Sequence, residues 1–231
     1  MIPFAWVFLL TFARTAAISV STVAEGFFGR LSRGRVDALL SVWSQAILRY
    51  AGIRLVVRGR ENLDPYSAMV IMSNHESHYD IPALFQALPP SLRMIAKKEL
   101  FLVPLWGRAM RTAGFIEIDR SNRESAVRSL RFAQAQLKSG IQIWIAPEGT
   151  RSRTGRLLPF KRGGFILSQE MGLPILPVSI RGTRDVLPAK TLRLKRGVEV
   201  VITIHPRIAI PENGSREEWM EQVRRALERG L

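Results

Sequence analysis

From residue 53 onward the chain alternates two kinds of apolar pattern, and that alternation restricts it to one class of fold. Short apolar, largely β-branched runs occupy 53–57, 68–73, 92–96, 115–118, 141–146, 175–180 and 199–204. Between them lie segments with helical spacing of apolar residues, at 80–88, 99–112, 121–139, 164–171 and 215–229. Short apolar runs bury strands, whereas repeats at three and four residues bury one face of a helix. Strands alternating with helices pack as a sheet covered by helices, which predicts an α/β domain with a single mixed, mostly parallel sheet. Ser121 with Glu124 and Ser215 with Glu218 carry capping-box spacing at two helix starts, and Gly140 stops the 121–139 helix.

The first fifty residues follow a different pattern. Between Met1 and Glu25 the only charged side chain is Arg14. No Lys or Arg precedes the apolar run and no clear small-x-small site follows it, which argues against a secretory signal. A simple membrane span would place Arg14 mid-helix, at a cost of roughly 2.5–3.5 kcal/mol. Thr11, Arg14, Thr15, Ser19, Thr22 and Glu25 instead form one polar stripe on an otherwise apolar helix. After a basic linker with Arg30, Arg33 and Arg35, a second amphipathic helix places Val36, Leu39, Leu40, Trp43, Ala46, Ile47 and Tyr50 on one side. The pair reads as a two-helix membrane-docking element over 1–51, ahead of a catalytic domain over 52–231. It is expected to lie in or on the bilayer at the cytoplasmic face of the cell membrane, monotopic or peripheral, with its arginines at anionic headgroups. A soluble helical cap over the core is the alternative.

The net charge of +15 directs the chain toward phosphate, on nucleic acid, lipid or a small substrate. Its arginines are scattered through turns rather than gathered with aromatics on one face, so no nucleic-acid partner is expected. The absence of cysteine excludes disulfides, thiolate metal sites and cysteine nucleophiles.

Four blocks carry chemistry. Ser73-Asn74-His75-Glu76-Ser77-His78-Tyr79-Asp80 joins a strand to a helix, at the sheet edge where α/β sites sit. His75 and Asp80 can fold back on each other there, the carboxylate fixing the ring tautomer, although for His75 taken alone a structural histidine is the favoured reading. His78 with Glu76 and Asp80 matches no metal-ligand spacing, and no metal is expected. Gly114–Arg120 reads as a half-exposed strand ending in an arginine. Ala146-Pro147-Glu148-Gly149-Thr150-Arg151-Ser152 closes an apolar strand with an irregular turn. From it Arg151 could grip a phosphate, and Glu148 could accept from a substrate hydroxyl or brace the arginines. Arg153, Arg156, Lys161 and Arg162 add charge behind it. Leu173–Ile180 is an apolar strand with two prolines, either core or acyl-tunnel wall.

In order and spacing, Asn74-His75-x4-Asp80, Gly114-Phe115-Ile116-x2-Asp119-Arg120, Pro147-Glu148-Gly149-Thr150-Arg151-Ser152 and Leu176-Pro177-Val178 resemble the four motifs of the glycerolipid acyltransferases. The bacterial 1-acyl-glycerol-3-phosphate (lysophosphatidate) acyltransferases are the most similar type. The likeness covers roughly 50–210 and extends to Ala96-Lys97-Lys98-Glu99-Leu100 and Phe160-Lys161-Arg162-Gly163, with Ala146 standing where the family usually has an aromatic. The resemblance implies transfer of a fatty acyl group from acyl carrier protein or acyl-coenzyme A to the free sn-2 hydroxyl of a lysophospholipid, without cofactor or covalent acyl-enzyme. It implies His75 and Asp80 as the catalytic base pair. It further implies Lys97, Lys98, Arg120, Glu148, Gly149, Thr150 and Arg151 around the acceptor. Another acceptor, such as a lyso-ornithine lipid or a different lysophospholipid, is the alternative.

Overall fold

The structure is a computed structural model describing residues 4–64, 68–119 and 123–231. Among the described residues seven strands form one sheet: β1 (Arg54–Arg58), β2 (Val70–Ser73), β3 (Leu92–Lys97), β4 (Ile116–Ile118), β5 (Gln142–Ile145), β6 (Ile175–Arg181) and β7 (Glu199–Ile204), in the order β1-β7-β6-β2-β5-β3-β4. Every pair is parallel except β6 with β7. This is the mixed, mostly parallel sheet expected from the alternation of patterns.

The helices are α1 (Phe4–Phe27), α2 (Arg33–Tyr50), α3 (Asp80–Ala87), α4 (Lys98–Phe101), α5 (Trp106–Thr112), α6 (Arg123–Lys138), α7 (Gly163–Met171), α8 (Thr183–Val186) and α9 (Arg216–Glu228). Successive strand residues point to opposite faces, so Ile71 of β2, with Met69 just before it, enters one core, and Val70 and Met72 enter the other. The first core is closed by α2 and α3 through Ile47, Leu48, Ala83 and Leu84. The second is closed by α6, α7 and α9 through Leu137, Phe165, Trp219 and Val223. Burial of side chains this size contributes about 1.5–3 kcal/mol each. It leaves β2 the rigid centre of the molecule, with its C-terminal end presented at one edge.

Strand ends agree with the sequence reading to within a residue or two, and β7 coincides with it. The helix expected at 99–112 is instead two, α4 and α5, separated by a turn. Pro104 has no N–H to donate and Leu105 adopts a left-handed φ of 62°, so the helical ladder cannot run through. The Ser215 capping box is present, Ser215 Oγ accepting from Glu218 N and Glu218 Oε2 from Ser215 N. Its counterpart at Ser121 lies outside the described residues.

The polar stripe of α1 faces inward. Thr15 accepts from Trp43 Nε1 at 3.0 Å, Ser19 and Thr22 are buried, and Glu25 is held bidentately by Arg35. Trp6, Leu9, Phe12 and Val20 face outward, Phe12 at 74% exposure. One expectation is corrected in the linker: Arg33 and Arg35, read as headgroup contacts, are spent on the protein. Arg33 donates to Ser91 Oγ and the carbonyls of Ser139 and Gly140. Arg30 lies over the Phe28 ring. Below the linker, buried Arg93 joins α2 to the sheet through Asp37 at 2.8 Å and reaches the Ala113 carbonyl.

Candidate active site

β2 ends at Ser73, and the chain then leaves the sheet without leaving its hydrogen bonding. The Asn74 carboxamide continues the ladder by side chain, donating to Ile180 O and accepting from Ile180 N, both at 2.8 Å. Trp144 of β5 donates to Ser73 Oγ, and Ser77 Oγ donates to Leu187 O. The end of β2 is therefore tied to β5, and the 74–79 turn to β6 and to Leu187, before α3 begins, and the turn delivers His75 and Asp80 to one point. Their side chains meet at 2.6 Å, Nδ1 to Oδ2.

Asp80 is fully buried, and Oδ2 also accepts from Glu76 N at 2.8 Å and Ser77 N at 3.0 Å. Three donors fix that oxygen in place. A ring nitrogen held against a carboxylate carries its proton there, so the neutral imidazole keeps its lone pair on Nε2. The ring is also placed by Trp144, edge to face at 5.6 Å, and 18% of the side chain remains exposed. A base oriented from behind and reachable from in front is the arrangement a proton acceptor needs.

The second motif turn follows β5 and closes on the first. Gly149 takes a left-handed φ of 71°, which lets its N–H return to Ala146 O at 3.0 Å. Glu148 is thereby turned inward, where Oε1 accepts from His75 N at 3.0 Å and Oε2 from Leu158 N at 2.8 Å. His75 O in turn accepts from Ser152 N at 2.7 Å. Burial pushes the Glu148 pKa up, against the pull of those two backbone bonds. The expected contact of Glu148 with a substrate hydroxyl is thus replaced by a brace on the backbone of the histidine, with the Arg224 charge within electrostatic reach. Gly149 and Thr150 lie on the outer side of the turn, and Arg151 is half-buried within electrostatic reach of His78.

The remaining expected cations are less concentrated. Lys97 and Lys98 stand at the end of β3, which is separated from β2 by β5. Lys98 is paired with Asp119 at 2.6 Å, while Lys97 is exposed and 4.0 Å from Glu99. Arg120 lies outside the described residues. Among the described residues no group of three or more His, Asp and Glu could hold a metal ion. His205 shares a 2.7 Å hydrogen bond with Ser179 instead.

Three participants were given no role at the site by sequence reasoning, Glu76 having been weighed only as a metal ligand. Trp144 carried only a strand signal, although an aromatic in the strand beside a histidine-bearing turn is a ready wall for a ring. Glu76 is buried, its carboxyl 3.4 Å from Asn74 Nδ2. Burial and the neighbouring Asp80 push its pKa up to about 7, with Arg184 opposing. Arg184 belongs to α8, a four-residue element too short to leave a periodic trace.

The chain matches the family model described as Acyltransferase over residues 54–181. It is 30% identical to a 1-acyl-sn-glycerol-3-phosphate acyltransferase of Chlamydomonas reinhardtii, over 99% of this chain and 68% of that protein. It is 35% identical to the human 1-acyl-sn-glycerol-3-phosphate acyltransferase alpha over 71% of this chain, and that match spans 57% of the human protein. The crystal structure of the 1-acyl-sn-glycerophosphate (LPA) acyltransferase PlsC from Thermotoga maritima superposes with a TM-score of 0.84 at 26% identity, covering 98% of this chain and 92% of that one. The His75–Asp80 pair and both turns that hold it fall inside the matched segment, and this chain belongs to the acyltransferase family.

Proposed function

We propose that the protein transfers a fatty acyl group from a thioester, acyl carrier protein or acyl-coenzyme A, to the sn-2 hydroxyl of 1-acyl-glycerol-3-phosphate, forming phosphatidic acid. The observation that carries this reading is the 2.6 Å contact between His75 Nδ1 and a fully buried Asp80. His75 Nε2 takes the hydroxyl proton as the oxygen attacks the thioester carbonyl. The tetrahedral intermediate then collapses, expelling the thiolate, which recovers the proton from the imidazolium. A positioned base of this kind contributes about 10²–10⁴-fold. Asp80 stabilises the imidazolium that forms in between, and no acyl-enzyme is required. Arg151 holds the acceptor phosphate, Lys97 and Lys98 add positive charge at the end of β3, and Arg120 is assigned to the same phosphate by its place in the motif. Glu148 is a positioning residue that acts through the His75 backbone.

The acceptor is a membrane lipid, and α1 supplies the docking. Its residues 5–27 have a mean hydropathy of 1.6 and enough length to cross a membrane. Yet its inner side is pinned to the rest of the protein from Val7 through Thr15 and Ser19 to Gly26, which sits against Thr112. These attachments support the reading that α1 lies in one leaflet rather than crossing the bilayer. The basic residues that follow it support the cytoplasmic face.

The test offers the purified protein lysophosphatidic acid with each donor in turn, and quenches a parallel sample that contains donor alone. Phosphatidic acid with no protein-bound acyl group is the expected result. A stable acyl-protein that then transfers to the acceptor would overturn the direct mechanism, and product only from another lysolipid would overturn the acceptor.

A further inference from the structure

The turn between α4 and α5 is a second surface unsuited to water. Leu102, Val103, Pro104, Leu105 and Trp106 follow one another and all are exposed, Leu102 to 72%. Five consecutive exposed apolar residues are rare on soluble surfaces and mark a contact with a partner or a membrane. The turn is built to stay in this shape. Trp106 N donates to Pro104 O at 2.6 Å and Gly107 N to Val103 O at 2.8 Å. A Cβ on Gly107 would lie 2.1 Å from Phe101 O, so only glycine permits the closure. Leu105 is held at a φ of 62°, which disfavours any residue with a Cβ. Backbone strain is thus maintained where it keeps leucines facing outward.

This turn is continuous with α1. An open groove of about 430 Å³ runs between them, with Val20, Val23, Phe27 and Phe28 on one side and Leu105 and Arg108 on the other. The groove is apolar along its length and carries a cation at one wall. Arg30 lies 5.9 Å over the Phe28 ring at the same end of α1. An acyl chain beside an anionic headgroup matches that pattern, whereas an acidic protein surface would leave the apolar side chains uncovered.

We infer that the Leu102–Trp106 turn is a second membrane-inserting element, and that the groove it forms with the end of α1 seats an acyl chain of an anionic phospholipid whose phosphate meets Arg108. This rests on the reading of α1 as a docking helix. The turn follows the single-turn helix α4, which starts at Lys98 immediately after the C-terminal end of β3. It therefore brings the leaflet to the sheet edge that carries His75.

Full-length protein is floated with vesicles of equimolar phosphatidylcholine and phosphatidylglycerol, and with vesicles of phosphatidylcholine alone. Replacing two inserting leucines, Leu102→Ser with Leu105→Ser, weakens binding to the mixed vesicles by about tenfold or more. Arg108→Gln weakens it about fivefold on mixed vesicles and leaves phosphatidylcholine binding unchanged. The leucine variant still acylates a short-chain lysophosphatidate presented below its micellar concentration, which also shows that it folds. Single replacement of the highly exposed Leu102 gives a smaller loss of the same kind. Vesicle binding equal to wild type in both the leucine and arginine variants would overturn the inference while leaving α1 as the anchor. Loss of short-chain activity in the folded leucine variant would overturn it by placing the turn in the reaction site. A wild type that binds neither vesicle would overturn the docking reading together with the inference.

Discussion

Replacing Asp80 by Asn separates the charge behind His75 from the shape around it. The side chain is fully buried, so no substrate can reach it, and one carboxylate oxygen takes all three bonds. An amide oxygen can occupy that place and still accept from Glu76 N and Ser77 N. It then carries no charge to stabilise the imidazolium. Unit charges about 4 Å apart attract by about 4 kcal/mol at an effective dielectric constant near 20. Losing all of that slows the reaction about 1000-fold, and losing half of it, for a proton half transferred, slows it about 30-fold. Asp80→Asn therefore lowers kcat about 30- to 1000-fold while KM for lysophosphatidate stays within about threefold, because the effect resides in the transition state. The assay is the initial rate of phosphatidic acid formation at saturating donor, with denaturant unfolding of each protein as the check on folding. A folded Asp80→Asn enzyme with kcat within threefold of wild type would refute the role of the buried charge.

Glu76 makes stability depend on pH. Its folded pKa of about 7 stands above the ordinary carboxylate value, so its contribution to stability is complete below about pH 4.5 and is lost as pH rises through 7. Glu76→Gln should then match wild type near pH 4.5 and exceed it at pH 8, by on the order of 2–3 kcal/mol in denaturant titrations; equal stability at both pH values would contradict the burial argument. Glu148→Ala removes the acceptor from two part-buried backbone N–H groups, and should cost about 1–4 kcal/mol of stability with a large fall in kcat. The more conservative Glu148→Gln keeps one acceptor and should fall between that variant and wild type by both measures. Asp37→Ala strands the buried Arg93 guanidinium and should cost about 3–5 kcal/mol, much of it recovered when Arg93 is replaced by Met as well. Thermal or denaturant unfolding of the single and double variants checks this.

The sequence made some features legible because one local signal decided them. β7 is a short apolar, β-branched run bounded by Gly197 and Pro206, which fixes its ends. The His75–Asp80 pairing needed only a strand-to-helix turn of the right length. Other features depend on contacts that no local pattern records. The polar stripe of α1 was visible, but its direction came from Trp43 and Arg35, which lie in a different helix. The break between α4 and α5 was marked by Pro104, yet the apolar spacing on both sides masked it. Glu148 reads as an exposed turn carboxylate in sequence. Only the return of the 152–158 segment across the turn shows that its two oxygens hold the backbone of His75 and Leu158. The antiparallel pairing of β6 and β7 and the order of strands in the sheet were likewise fixed by packing of distant segments.

The central claim is that His75 is the base, and the most direct measurement compares wild type with His75→Ala. Both proteins receive lysophosphatidic acid in vesicles together with acyl-coenzyme A or acyl carrier protein, and phosphatidic acid is quantified after each is shown to be folded. The account predicts product from the wild type and a rate at least about 10²-fold lower from the variant with either donor. Equal rates from two folded proteins would contradict it.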